Sequence, residues 1–350
     1  MAKKPTVSVV MSVYNAELYV REAIESILQQ TYADFEFLIL DDGSTDKSLE
    51  LVRSISDPRI RVFSSDKNMG IVHQVNRGIS MAQGKYIARM DADDISLPER
   101  FAHEVAYLET HHRVGMVGTW VELIDTKGVS NNVVWRFQAP PEEIPVVLLF
   151  GNNFANPTVM IRTSALPEVV YKSEYTLSED FELTTRISDS HGVANLQEVL
   201  LKYRVHGKSI SHRKRELCRE LVMRVLGGRL DRLGVVYTED DLQFHNAICF
   251  EIVVVNESDL HRADVWFKRI YEANLISRKY DKVILFKALL GRWYTLCGLY
   301  SGSRLAQIRQ VFNSSLFTSS AFTIKDYFRL FGILMKRLFR KKYAYSAPKK

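Results

Sequence analysis

Cysteine is scarce in these 350 residues: there are three, Cys218, Cys249 and Cys297, far apart in the chain. An odd count without a CxxC or Cys/His spacing argues against a disulfide framework and a thiolate metal site, so reduced, buried thiols are expected. Long hydrophobic runs are missing too. No stretch reaches the roughly 18 uncharged apolar residues that a membrane-spanning helix needs. The opening MAKKPTVSVV has no signal-peptide pattern, since its apolar run is short, β-type and without a small-residue cleavage site. The expected compartment is therefore the cytoplasm. Two nucleotide fingerprints are absent as well: no G-x-G-x-x-G follows the first apolar run, and no G-x-x-x-x-G-K-[ST] occurs. Any phosphate charge must be met by something other than a glycine cradle.

What is present suits a globular chain of two domains with a large core. Hydrophobic residues make up 46% and charged residues 25%, both ordinary values. The net charge of +6 conceals an asymmetry: residues 1–210 carry 21 Lys and Arg against 28 Asp and Glu, whereas residues 211–350 carry 26 against 13. The basic portion expects an anionic partner, such as a membrane surface, a nucleic acid or an acidic polymer.

The first 120 residues alternate between two periodicities. Apolar, β-branched runs at 7–13, 35–41, 60–64, 86–90 and 114–123 predict strands. Between them, 3.6-residue patterns predict helices. Asn15 is the expected cap of one that runs to Leu28, and Ser44 of the next. A third starts near Ile71 and stops at Gly84. A fourth covers Leu97 to Thr110 behind a capping box of Ser96 and Glu99. Repeated β-α-β order implies an α/β fold with a largely parallel sheet and helices on both faces. Residues 124–176 read as mixed antiparallel elements and loops. A helix is expected after Ser178 and a final strand pair at 196–206. Mainly helical structure is expected from about 212.

In such sheets, ligands sit outside the carboxyl ends of the strands. Those ends carry Tyr14-Asn15, Asp41-Asp42, Asn68 with Gly70, and Asp91-Ala92-Asp93-Asp94. Three carboxylates in four residues repel one another unless a cation sits among them, and magnesium or manganese commonly bridges carboxylates to substrate phosphates. Solvated carboxylates ahead of a helix are the plain alternative. Asp41-Asp42-Gly43-Ser44 is good turn chemistry, and it also offers a carboxylate to a nucleobase imide with Tyr14 as a stacking ring. Ser178-Glu179-Asp180-Phe181-Glu182 is a second acidic site, favoured by a helix dipole and also suited to a general base. Arg204 and His206, two apart on an expected strand, share a face and are expected to address one phosphate or metal together.

Taken together, these residues resemble the family-2 glycosyltransferases of the glycosyltransferase-A fold. The matching pieces are VSVVMSVYNAELYVREAIESILQQTYADFEFLILDDGSTDKS, then NMG, NRG and AQGKYIARMDADD, then SEDFEL and YRVHGKSIS, over about residues 5–211. The resemblance implies a Rossmann-like domain with a mixed, mainly parallel sheet. It implies that Ser12, Tyr14, Asn15, Glu17 and Asp42, with Asn68, surround the nucleotide, and that Asp91 lies near the ribose. Asp93 would hold a divalent metal, Mn or Mg, with His206 near it, and Asp180 would be the catalytic base. It implies inverting transfer of a sugar from a nucleotide sugar, with UDP the expected nucleotide, to an acceptor hydroxyl. The Q-x-x-R-W motif of processive relatives is absent, which implies one sugar per binding event.

The expected domains are 1–211, catalytic, and 212–350, helical and basic. Residues 326–342, DYFRLFGILMKRLFRKK, read as an amphipathic helix with a basic end, which suits peripheral contact with an anionic membrane and a glycan or lipid-linked acceptor in bacterial surface polysaccharide assembly. A helix packed on the protein is the plain alternative. No recognition motif accompanies the charge, so nucleic acid is not an expected partner. Two rival functions remain at this point: another nucleotide-using transferase, and a non-catalytic nucleotide-sugar-binding protein.

Overall fold

Four apolar runs lie side by side as parallel strands: β1 (Val7–Val13), β2 (Phe35–Asp41), β3 (Ile60–Ser64) and β4 (Tyr86–Asp91). The computed structural model describes residues 4–206, 214–250 and 254–318. The sheet continues through β5 (Ile95–Ser96), β6 (Val114–Ile124), β7 (Ser130–Trp135), β8 (Met160–Arg162) and β9 (Gly192–Arg204). Its order among the described residues is β3-β2-β1-β4-β8-β6-β9-β5, with β7 beside β6. The short β8 runs antiparallel to both β4 and β6, while β6 and β9 are parallel, so the sheet is mixed. Register aligns the strand ends: Val13 pairs with Asp41, Asp41 with Ser64, and Ser12 with Asp91. Motifs far apart in sequence therefore share one edge.

Side chains alternate across the pleat, so each face takes its own helices. On one face, Val9 and Met11 pack in a cluster with Val20, Ala23, Ile24 and Ile27 of α1 (Val20–Leu28). After α2 (Ser48–Arg53), α3 (Ile71–Met81) takes the other face, where a Cβ on Gly78 would come within 2.6 Å of Val10. Glycine permits that approach. Phe101, Val105 and Leu108 of α4 (Arg100–Thr110) join the first cluster. The short α5 (Ile144–Val147) and α6 (Glu179–Ser190) follow, and then α7 (Arg215–Leu233).

The chain forms two compact units, Met1–Arg229 and Leu230–Lys350, divided within α7. The second is helical where described: α8 (Glu239–Phe250), α9 (Glu257–Ser277), α10 (Lys282–Leu299) and α11 (Arg304–Phe312). Its core joins Leu260, Ala263, Trp266, Phe267 and Ile270 of α9 to Leu285, Phe286, Leu289 and Trp293 of α10, with Tyr271 edge-on to Phe286 at 5.5 Å. No described helix is long and apolar enough to cross a membrane. The expected amphipathic helix at 326–342 lies outside the described residues, as does the end of the YRVHGKSIS stretch at 207–211.

Several local expectations are corrected. The helices begin later than their supposed caps. Asn15, at φ +50°, accepts from the Thr45 N–H, and Ser44 Oγ accepts from the Asn15 N–H, so both link loops instead of capping. Ser96 lies in β5, and its hydroxyl accepts from Gln30. The helix stops at Met81, because Gly84 passes under β1, where a Cβ would meet Ser8 N at 2.6 Å. The strand pair expected at 196–206 is a single 13-residue strand, β9, which β6 pairs from end to end with three register shifts. Of the three free thiols only Cys297 is buried; Cys218 and Cys249 are half-buried.

Candidate active site

The first strand-end loops hold one another. Glu17 accepts from the Lys47 N–H and its own N–H donates to Asp46, while the Ala16 N–H donates to Ser48 Oγ at 2.7 Å. Asp42 is buried, and its carboxylate accepts from the Met69 and Gly70 N–H groups and from Gln74 Nε2 at 2.7, 2.9 and 2.7 Å. It thereby fixes the turn that contains Asn68, which is itself exposed. Gly43, at φ +69°, allows this: a Cβ there would fall 2.6 Å from the Lys67 backbone. Of the residues expected at the nucleotide, Asn15, Glu17 and Asp42 thus engage protein partners, Tyr14 stands 47% exposed at the edge, and Ser12 is half-buried beside Asp91 in register. Asp41 is buried too, and its Oδ1 has no hydrogen bond among the described residues.

Past β4 the acidic cluster is clamped from β9. The Arg204 N–H donates to Asp94 Oδ1 at 2.8 Å, and its guanidinium donates to the carbonyls of Asp93 and Asp125 and to Glu22. This corrects the expectation that Arg204 and His206 address one ligand together. Arg204 is buried, with its guanidinium 4.6 Å over the Tyr19 ring and bound to backbone carbonyls and Glu22, so of the two side chains it is His206 that reaches a carboxylate of the cluster. His206 Nε2 lies 2.8 Å from Asp93 Oδ2, and its ring stacks on Tyr19. Burial, with repulsion from Asp93 and Asp91, pushes the Asp94 carboxyl well above its usual range. Asp91 rises to about 6 through burial, the charges of Asp93 and Asp180 adding to the rise and Arg89 and Arg100 opposing it.

Asp180 comes to this cluster from α6. Leu177, at φ +81°, turns the chain into the helix, so Asp180 sits in the first turn, where backbone N–H groups favour a carboxylate. Burial pushes its carboxyl above the usual carboxylate range, while the N–H groups of Phe181 and Asp180, the Arg89 charge and a 3.0 Å bond from Asn152 Nδ2 work against that rise. Glu179 beside it rises to about 7 by burial and by the Asp180 charge. Asp180 borders a small recess with Met116, Asn152, Phe154, Tyr171 and Leu183. Tyr203 of β9 is affected by both groups: burial and the charges of Asp94, Asp91, Asp93 and Asp180 suppress ionisation of its phenol.

Four residues of this arrangement were not anticipated in these roles: Arg89, Asn152, Tyr203 and Arg204 as a clamp. Arg89 is almost wholly buried, donating to the Val10 carbonyl at 2.6 Å and to Asp91 at 3.2 Å. An arginine within the apolar run YIARM was the available signal, since a buried charge requires partners. Asn152 and Tyr203 carry no comparable mark in sequence.

Could these residues hold a cation? Three carboxylates at one strand end, with Asp94 Oδ2 buried and without a hydrogen bond among the described residues, form a hard-oxygen set. Among the described residues no three His, Cys, Asp or Glu side chains already form a cage. The set suits an ion that completes its shell with substrate phosphate, as magnesium and manganese do.

A mixed α/β sheet with carboxylate groups gathered at one edge and a helical region after it is a glycosyltransferase-A architecture. Residues 1–349 of Staphylococcus aureus TarS, solved in complex with UDP, share the fold at a TM-score of 0.52 and 18% identity, over 88% of each chain. Sequence comparison is more specific. The model of glycosyl transferase family 2 matches residues 8–163. An uncharacterized glycosyltransferase of Haemophilus influenzae is 32% identical over 275 residues, 74% of this chain and 84% of that protein. The O-antigen biosynthesis glycosyltransferase WbnJ of Escherichia coli is 32% identical over 213 residues, 58% of this chain and 81% of its own length. This chain belongs to glycosyl transferase family 2 and is a glycosyltransferase.

Proposed function

We propose that this enzyme transfers a sugar, with inversion, from a UDP-sugar to an acceptor hydroxyl in bacterial surface polysaccharide or glycoconjugate assembly. One observation carries the reading: the carboxylates of Asp91 and Asp180, about ninety positions apart in the chain, lie close enough for each other's charge to matter, and Tyr203 responds to both groups. The WbnJ likeness and the UDP complex of TarS support the pathway and the nucleotide.

Asp93, with His206 beside it, would hold the divalent metal, which when bound neutralises charge on the diphosphate, and Asp91 would lie near the ribose. Tyr14 offers its exposed ring to the base, and Asn15, Glu17 and Asp42 keep the surrounding loops in shape. Asp180 accepts the proton of the acceptor hydroxyl as that oxygen bonds to the anomeric carbon. The bond from that carbon to the diphosphate oxygen breaks, and the nucleoside diphosphate leaves with the electron pair. The N–H groups of Phe181 and Asp180, with Arg89 and Asn152, oppose the rise that burial imposes on the Asp180 carboxyl. Catalysis is assigned to residues 1–211. The basic region 212–350 is assigned contact with an anionic membrane surface, near a lipid-linked acceptor.

Asp180→Asn should abolish transfer and leave UDP-sugar binding in the presence of manganese nearly intact, whereas Asp93→Ala should weaken that binding in calorimetry. Turnover retained in Asp180→Asn overturns the role of the base.

A further inference from the structure

His206 stands just past the end of β9. The Val205 N–H donates to the Ile124 carbonyl at 2.9 Å, so the sheet holds the backbone up to that residue. Where the imidazole then points depends on its own side-chain torsions and on what packs against it. Its side chain is 12% exposed, and Nε2 reaches Asp93 Oδ2 at 2.8 Å. The packing comes from the start of α1. The Tyr19 ring stacks on the imidazole, with centroids 5.5 Å apart and planes 30° from parallel.

Tyr19 takes a second group of the same strand end. The Arg204 guanidinium lies 4.6 Å over its ring, and Arg204 also donates to Glu22, three positions further along α1. Residues three apart share a helix face. The first turn of α1 therefore brackets the end of β9 with one ring and one carboxylate. The ring of Tyr19, not its hydroxyl, makes both contacts. Stacked aromatic pairs change an equilibrium by roughly two- to tenfold. For a histidine that ligates a cation the direction of one nitrogen is decisive, and groups that orient such a histidine alter metal affinity by about tenfold or more.

We propose that Tyr19 is a positioning residue for the cation site: its ring holds the His206 imidazole with Nε2 toward Asp93, and thereby sets the affinity for manganese or magnesium. The proposal rests on the reading of Asp93 and His206 as the ligands. Its test uses the full chain with UDP present and follows free manganese by electron paramagnetic resonance, so no turnover is needed. The wild type and Tyr19→Phe should bind manganese within about twofold of each other. Tyr19→Leu keeps apolar volume but has no ring, and should bind it about fivefold more weakly. Tyr14, Asn15 and Glu17 lie in the loop just before Tyr19, so a general loosening of α1 would also weaken UDP binding without metal. Tyr19→Leu should leave that metal-free affinity unchanged. Equal manganese affinity in Tyr19→Leu and the wild type overturns the proposal. A loss of the same size in metal-free UDP affinity overturns it too, as does a Tyr19→Phe as weak as Tyr19→Leu. Asp93→Ala is measured alongside: if it binds manganese as the wild type does, the ligand reading itself fails, whereas a loss there with an unchanged Tyr19→Leu removes the role of Tyr19 alone.

Discussion

The two units treat the starts of their helices in opposite ways. In the sheet unit, none of α1 to α6 has a side-chain N-cap. In the helical unit, Asn256 and Asp259 make a reciprocal capping box, Asp281 accepts from the N–H groups of Val283 and Ile284, and Ser303 accepts from that of Ala306. The same residue types occur in both units. In the sheet unit, long-range neighbours compete for them: Ser44 takes the Asn15 N–H, and Ser96 takes Gln30 from 66 positions away. In the helical unit the competing groups are within one turn, and local chemistry prevails. Polar side chains of the sheet unit hold loops at the strand ends, whereas those of the helical unit hold helices.

This contrast can be tested where the effect is largest, at Arg204. Replacing it with Ala removes bonds to Asp93, Asp125 and Glu22 at once, so unfolding free energy should fall by about 3 kcal/mol in urea titration, with donor affinity reduced as well. A loss as small as that of an ordinary cap would erase the distinction. A second test is pH dependence. Arg100 and Glu104 are fully buried against each other, and burial pushes Glu104 up to about 8, the Arg100 charge opposing the rise. The folded state therefore binds this proton more tightly than the unfolded chain, for which the ordinary value is 4.5. Stability from this group falls as pH rises from about 4.5 to about 8. Asp91 and Glu179 act with the same sign. Glu104→Gln should flatten part of the decline in melting temperature between pH 5 and pH 8; a slope equal to that of the wild type refutes the assignment. The smallest effect is expected at Asn256. Asn256→Ala should cost about 1 kcal/mol by chemical denaturation and leave transfer unchanged, since it removes one local cap.

Much of the site was legible because its parts are local. An apolar run ending in Asp91-Ala92-Asp93-Asp94 announces both a strand and a charged edge, and Ser178 to Glu182 announces a helix start. What could not be read was the use made of each polar group. Asp42 fits a base-binding role by position, yet its carboxylate accepts three bonds from the turn 69–70 and Gln74. Arg204 resembles a phosphate ligand by spacing, yet it clamps the loop of Asp93 and Asp94. In both cases the deciding partner is at least 27 residues away.

Periodicity in the chain by itself determined the parallel strands, the helices between them and the two acidic groups, because alternation and helical repeat are properties of neighbours. Only the tertiary structure decided that β8 enters reversed between β4 and β6, that β9 runs as one strand beside β6 through three register shifts, and that Asp180 is brought within the field of Asp91. Strand order and charge proximity are properties of residues far apart in sequence. They are set by which faces can be buried together, which no local window contains.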